Sequence, residues 1–249
     1  MPVVRFQKSE IEMDNALNIF LLIGQSNMAG RGRLNEVSAL RNPQVSMFRD
    51  GRWITAEEPL HTDNPEIAGV GLGMSFAVEL VERAHLTSVG LVPCAVGGTP
   101  LSRWMPRADL YENAVSVVQH ALSEGTLRGI LWHQGEGDSG NADDGNSYGH
   151  RFQQMINALR LQLTARNVPV ITGELGPFLE HHASCYFFNV VNQQLQELEG
   201  RLPAYGCASA KGLTDNGDSL HFSSESLREF GRRYANKYMD IVSRSEQSL

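Results

Sequence analysis

Short runs rich in Val, Ile and Leu recur along the whole chain, and between them lie longer stretches whose apolar residues repeat at helical spacing. This alternation is the pattern of parallel strands joined by crossover helices. Strands are expected at 19–23, 45–48, 89–96, 129–133 and 169–172, with a weaker one at Tyr205–Ala208; their aliphatic content suits strands covered on both faces. Helices are marked by Met74, Ala77, Leu80 and Ala84, by Leu110, Ala114, Val118 and Ala121, and by Tyr148, Phe152, Met155, Ile156 and Leu159. A fourth carries Phe188, Val191, Leu195 and Leu198, and a last one follows Ser223 with Leu227, Phe230, Tyr234 and Ile241 inward. The fold expected is a three-layer α/β/α arrangement, flavodoxin-like, around a mostly parallel sheet. A length of 249 residues suits one such domain over 1–249.

Composition narrows the partners. A formal net charge of −7 with scattered basic residues offers nothing to a phosphate backbone, so nucleic acid is not expected. Apolar runs such as 19–23 are far shorter than the roughly 20 residues a bilayer span needs, so no membrane partner is expected either. Glu10, Glu12 and Asp14 stand where a secretory leader would be apolar, which points to the cytoplasm, with a secreted protein whose leader has been removed as the alternative. Cys94, Cys185 and Cys207 are odd in number and lack CxxC spacing, consistent with a reducing compartment. No cofactor or metal is expected: His181 and His182 are adjacent, and adjacent side chains seldom share one ion.

In a parallel sheet, sites form at the carboxyl ends of strands. After the first strand stands Gly24-Gln25-Ser26-Asn27-Met28, which places a serine hydroxyl and its backbone N–H where strand turns to helix. A serine there can equally be a helix cap. After the third comes Val96-Gly97-Gly98-Thr99, whose glycines allow close backbone approach to a ligand or simply make a turn. After the fourth comes His133-Gln134-Gly135-Glu136, where Gln134 can donate an amide N–H and Glu136 can orient a neighbour. Before the last helix, Asp218 and His221 are three residues apart, so one turn can bring the carboxylate to the imidazole, with Asp215 as the reserve carboxylate.

Taken together, GQSNMAGRG, VPCAVGGTPLSRW, LWHQGEGD and DSLHFS resemble the SGNH-hydrolase superfamily, and within it the sialate O-acetylesterase and carbohydrate esterase family 6 group. The blocks run in family order from Gly24 to Phe222. The resemblance implies a serine carboxylesterase that removes O-acetyl groups from a sugar, such as xylan fragments or sialic acid. It implies Ser26 as nucleophile, His221 as general base and Asp218 as its orienting acid. The oxyanion hole would use the Ser26 N–H, an N–H of Gly97 or Gly98, and the Gln134 side chain, with Gln25, Asn27 and Glu136 in support. Arg103 and Trp104 are candidates for the sugar site, and loops 49–67 and 138–147 for specificity. Oligomeric state is left open.

Other readings fare worse. Gly69-Val70-Gly71-Leu72-Gly73 lacks the preceding apolar strand of a dinucleotide fingerprint. Cys94 sits within an apolar run and reads as core rather than nucleophile. A lipase or thioesterase on the same fold, or a carbohydrate-binding protein without turnover, remain the alternatives.

Overall fold

The computed structural model describes residues 16–246; the acidic segment that argued against a leader lies at 1–15, outside the described residues. Seven strands form one sheet in the order β3-β2-β4-β1-β5-β6-β7. They are β1 (Leu17–Gly24), β2 (Val45–Arg49), β3 (Arg52–Thr55), β4 (Val89–Pro93), β5 (Gly125–His133), β6 (Val170–Gly173) and β7 (Tyr205–Ala208). All neighbours pair in parallel except β2 and β3. The helices are α1 (Ser26–Ala29), α2 (Gly73–Arg83), α3 (Asp109–Ala121), α4 (Ala142–Gln162), α5 (Phe188–Glu197) and α6 (Ser224–Glu246).

The central strand shows why the sequence reads as a continuous apolar run. Ile19, Leu21 and Ile23 enter a core shared with α3, α4 and α5, whereas Phe20 and Leu22 enter a second core shared with α2 and α6. Successive side chains of a strand point to opposite faces, so a strand covered on both sides has no polar positions to spare. Each fully buried aliphatic residue here contributes about 1.5–3 kcal/mol.

Two differences from the sequence reading have clear causes. Strand β3 was not expected; it returns antiparallel on β2 through Asp50-Gly51, both with positive φ (51° and 75°). That is the hairpin use of Asp-Gly. The span 138–147, expected as a loop, is mostly not one: α4 begins at Ala142, with the Asn141 side chain accepting from the Asp144 N–H. The polar first turn of α4 hides the helix from an apolar-spacing criterion. The segment between β3 and α2 is tied to α6 by Glu58, whose carboxylate accepts both Arg228 Nη1 (2.7 Å) and Nη2 (2.5 Å).

Candidate active site

The three central strands deliver the site. β1 ends at Gly24 and releases Ser26 at the start of α1, β4 leads into Gly97 and Gly98, and β5 leads into Gln134 and Glu136. The fourth contribution, Asp218 and His221, comes from the loop between β7 and α6.

His221 Nε2 lies 3.0 Å from Ser26 Oγ, and His221 Nδ1 lies 2.6 Å from Asp218 Oδ2. An ionised carboxylate only accepts, so Nδ1 carries the proton and Nε2 is left to accept the serine O–H. Asp218 Oδ1 accepts the N–H groups of Leu220 and His221, each at 2.8 Å. Partial burial works to raise the Asp218 carboxyl, but the backbone N–H and imidazole of His221 and the Leu220 N–H outweigh it and hold it below the ordinary carboxylate range. The carboxylate therefore keeps its charge to a lower pH than an ordinary aspartate does.

Asn27 holds the histidine loop against α1. Its Nδ2 donates to Leu220 O (3.1 Å) and its Oδ1 accepts the Phe222 N–H (3.1 Å), so the two residues flanking His221 are fixed by one side chain. The same Nδ2 donates to Glu136 Oε1 at 2.5 Å. Glu136 and His133 are buried together, with His133 Nε2 3.6 Å from Glu136 Oε1. Tyr234 Oη donates to Trp132 O (2.9 Å) and thus accepts from His133 Nδ1 at 3.0 Å. Burial works to raise the Glu136 carboxyl, but His133 and Asn27 outweigh it and keep it low.

For the oxyanion, the structure separates the candidate donors. The Ser26 N–H, at the head of α1, has no acceptor among the described residues. The Gly97 N–H is already given to Asp63 Oδ2 at 2.8 Å. Gly98 has φ 70°, its N–H has no acceptor among the described residues, and the space beside its Cα is open. Of the two glycines, Gly98 is therefore the available donor. Gln134 is a correction to the sequence reading. Its side chain is fully buried, and Nε2 already faces Gln25 Oε1 (3.1 Å), Thr99 O (3.1 Å) and Asp138 Oδ2 (2.7 Å). Two amide protons shared among three acceptors leave none for a substrate. Gln134 and Gln25 instead link the loops after β1, β4 and β5, and Gln25 Oε1 also accepts the Gly137 N–H (3.1 Å).

The sugar-site candidates are also corrected. Trp104 is 1% exposed, packs edge-on against Trp132 and donates its indole N–H to Thr99 Oγ1 (3.1 Å). A buried indole offers no platform. Arg103 is turned to Asp109 in an exposed ion pair. The cleft that reaches His221 includes neither residue; it is about 620 Å³ in volume and walled by Arg31, Arg33, Leu34, Glu66, Ile67 and Asn216. Arg31 stands within the GQSNMAGRG block, and Glu66 and Ile67 end the 49–67 span expected to bear on specificity, whereas Asn216 carries no such expectation. Cys94 is buried and its thiol is pushed up to about 12, which suits core and not a nucleophile.

This arrangement of a serine, an imidazole and a carboxylate at the head of a parallel sheet can be set beside known proteins. Residues 16–240 match the family described as carbohydrate esterase, sialic acid-specific acetylesterase. The chain belongs to this family. A probable carbohydrate esterase of Arabidopsis thaliana is 33% identical over 241 residues, covering 89% of this chain and 90% of the relative. The solved structure of an Arabidopsis thaliana protein of the same designation superposes with a TM-score of 0.82 at 30% identity, over 90% of this chain and 98% of that one. The structure of NanS gives a TM-score of 0.75 at 18% identity, over 92% of this chain and 98% of that one, a likeness of fold. The protein is thus an SGNH-like hydrolase and a carbohydrate O-acetylesterase.

Proposed function

We propose that this esterase works through a covalent acyl-Ser26 intermediate and that its substrates are O-acetyl esters of uncharged sugars. The observation carrying the mechanism is the unbroken hydrogen-bond chain Ser26 Oγ, His221 and Asp218. His221 takes the serine proton as Oγ attacks the acetyl carbonyl, and the carbonyl oxygen becomes an oxyanion facing the Ser26 and Gly98 N–H groups. The tetrahedral intermediate collapses as His221 returns the proton to the departing sugar oxygen. Water, deprotonated by the same imidazole, then releases acetate.

The charge of the cleft supports an uncharged leaving group. Arg31 is neutralised by Asp63 (2.6 Å) and Arg33 is paired with Glu36 (2.9 Å), while Glu66 and Asp218 add carboxylates to the same walls. A sugar acid would bring its own anion to walls whose two guanidiniums are already paired with carboxylates. Leu34 and Ile67, 48% and 54% exposed, supply apolar contact suited to a ring face or an acetyl methyl. Amid the polar lining they do not make the long apolar groove that a lipid chain would require.

Ser26→Ala should leave the fold intact and abolish hydrolysis of p-nitrophenyl acetate. Acetate release should be measured from acetylated xylo-oligosaccharides, O-acetylated sialic acid, and acyl esters from acetyl to decanoyl. Higher kcat/KM on the neutral sugars is expected. Activity retained by Ser26→Ala would overturn the mechanism, and preference for the sialic acid ester would overturn the charge argument alone.

A further inference from the structure

Between β3 and α2 lies Asp63, a residue that no motif marks and whose side chain is 4% exposed. Its Oδ2 accepts two donors, the Gly97 N–H at 2.8 Å and Arg31 Nη2 at 2.6 Å, while Oδ1 faces Arg31 Nη1 at 3.4 Å. Arg31 Nη1 also donates to Gly30 O (2.9 Å), just after α1. The guanidinium lies so close to the loop after β4 that a Cβ on Gly97 would sit 2.4 Å from Arg31 Nη2. One ion pair therefore ties the exit of the nucleophile helix to the glycine loop. Neither partner hydrogen-bonds Ser26 or His221.

We propose that Asp63, held by Arg31, is the positioning residue of the oxyanion hole. Resting on the acyl-serine mechanism above, the argument is one of direction. By capturing the Gly97 N–H, the Asp63 carboxylate turns that amide away from the substrate. The following residue, Gly98, with its left-handed φ of 70°, keeps a free N–H beside open space. Without the Asp63 charge the Arg31 clamp is lost, and the acceptor of the Gly97 N–H is no longer fixed in the place that decides which amide faces the carbonyl. A burial cost is built in: an ion pair so well covered is justified only by good geometry and added hydrogen bonds, and here the added bonds are to the two loops that flank the reacting carbonyl. Displacement of such a donor by about 1 Å can cost about 10²-fold in rate.

The test uses the full chain and three variants, Asp63→Asn, Arg31→Lys and Gly97→Ala. Active sites are counted with a fluorophosphonate and folding is followed by circular dichroism. On p-nitrophenyl acetate, Asp63→Asn should lower kcat per active site by roughly 10–100-fold with KM within about threefold. A methyl trifluoromethyl ketone, whose serine adduct carries an oxyanion, should bind more weakly in proportion to the fall in kcat/KM. Gly97→Ala should show the same paired losses, because its methyl displaces the guanidinium, and Arg31→Lys, which keeps the charge, should lose less. Should Asp63→Asn fail to fold, Gly97→Ala and Arg31→Lys decide the matter alone. Folded variants with wild-type kcat per site and unchanged ketone affinity would overturn the proposal. Ser26→Ala run in parallel separates the two claims: if it is inactive while the Asp63 set is unaffected, only the positioning role falls.

Discussion

At the scale of single residues, the site depends on which polar atoms remain unspent. Gln134 is chemically able to stabilise an oxyanion, but its amide protons are given to Gln25, Thr99 and Asp138. Gln134→Ala should therefore act first on stability. Removing a buried amide that serves three acceptors, and leaving a void, costs about 2–4 kcal/mol, enough to lower Tm by roughly 5–10 °C in thermal unfolding. A variant with unchanged Tm and reduced kcat would instead make Gln134 a direct donor. That Ser26, Asp218 and His221 come together was legible because their chemistry is distinctive and they sit in recognisable blocks. Hydrogen-bond allocation was not: the letters HQGE show that Gln134 has donors, not that Thr99 O and Asp138 are already in place to take them. Asp63 was invisible for a related reason, since its partners Arg31 and Gly97 stand 32 and 34 positions away.

Among the elements, the loop between β7 and α6 carries His221, the proposed base, and one residue of α1 fixes that loop. Asn27→Ala would leave Leu220 O and the Phe222 N–H without their partner. His221 would then sample positions away from Ser26. The expected result is a fall in kcat of about tenfold or more, together with faster hydrogen exchange at the amides of residues 220–222. Unchanged exchange would show that the loop is held by other means. The presence of a strand was readable where burial is two-sided, as in β1 and β7, but its ends were not: β1 begins at Leu17 and β5 at Gly125, ahead of the expected 19 and 129, because those first residues are only partly covered. β3 has two half-buried and two exposed residues, so no apolar run announces it, although Asp50-Gly51 could have. α4 begins with Asp143, Asp144, Gly145 and Asn146, a set that reads as loop until the Asn141 cap is recognised.

At the scale of the whole molecule, acid stability is set in part by His61. It is 3% exposed beside the site, and burial lowers its pKa to about 4, with nearby Asp63 only partly offsetting this. In the unfolded chain a histidine takes up its proton near about 6.5. Between those values the unfolded state binds the proton and the folded state does not, so stability is full above about 6.5 and is lost as pH falls toward about 4. The loss amounts to about 3 kcal/mol. Urea unfolding across this interval should show the decline in the wild type and a flatter profile in His61→Gln; parallel profiles would assign the acid sensitivity to other groups. Asp63 acts in the same sense, in a lower range of pH. Burial works to raise its carboxyl, but Arg31 and the Gly97 N–H hold it low, so its contribution is lost only at still lower pH.

Ser26 and His221 are 195 residues apart in the chain yet share a hydrogen bond. The serine is synthesised well before the imidazole, with six of the seven strands between them. During synthesis, at about 5–20 residues per second, the serine leaves the ribosome roughly ten seconds or more before its base exists. Throughout that interval the nascent chain is a serine without an imidazole, unable to cleave its ester substrates by this route. By the proposed route, activity waits until the loop bearing His221 has been made and is held against α1 by Asn27.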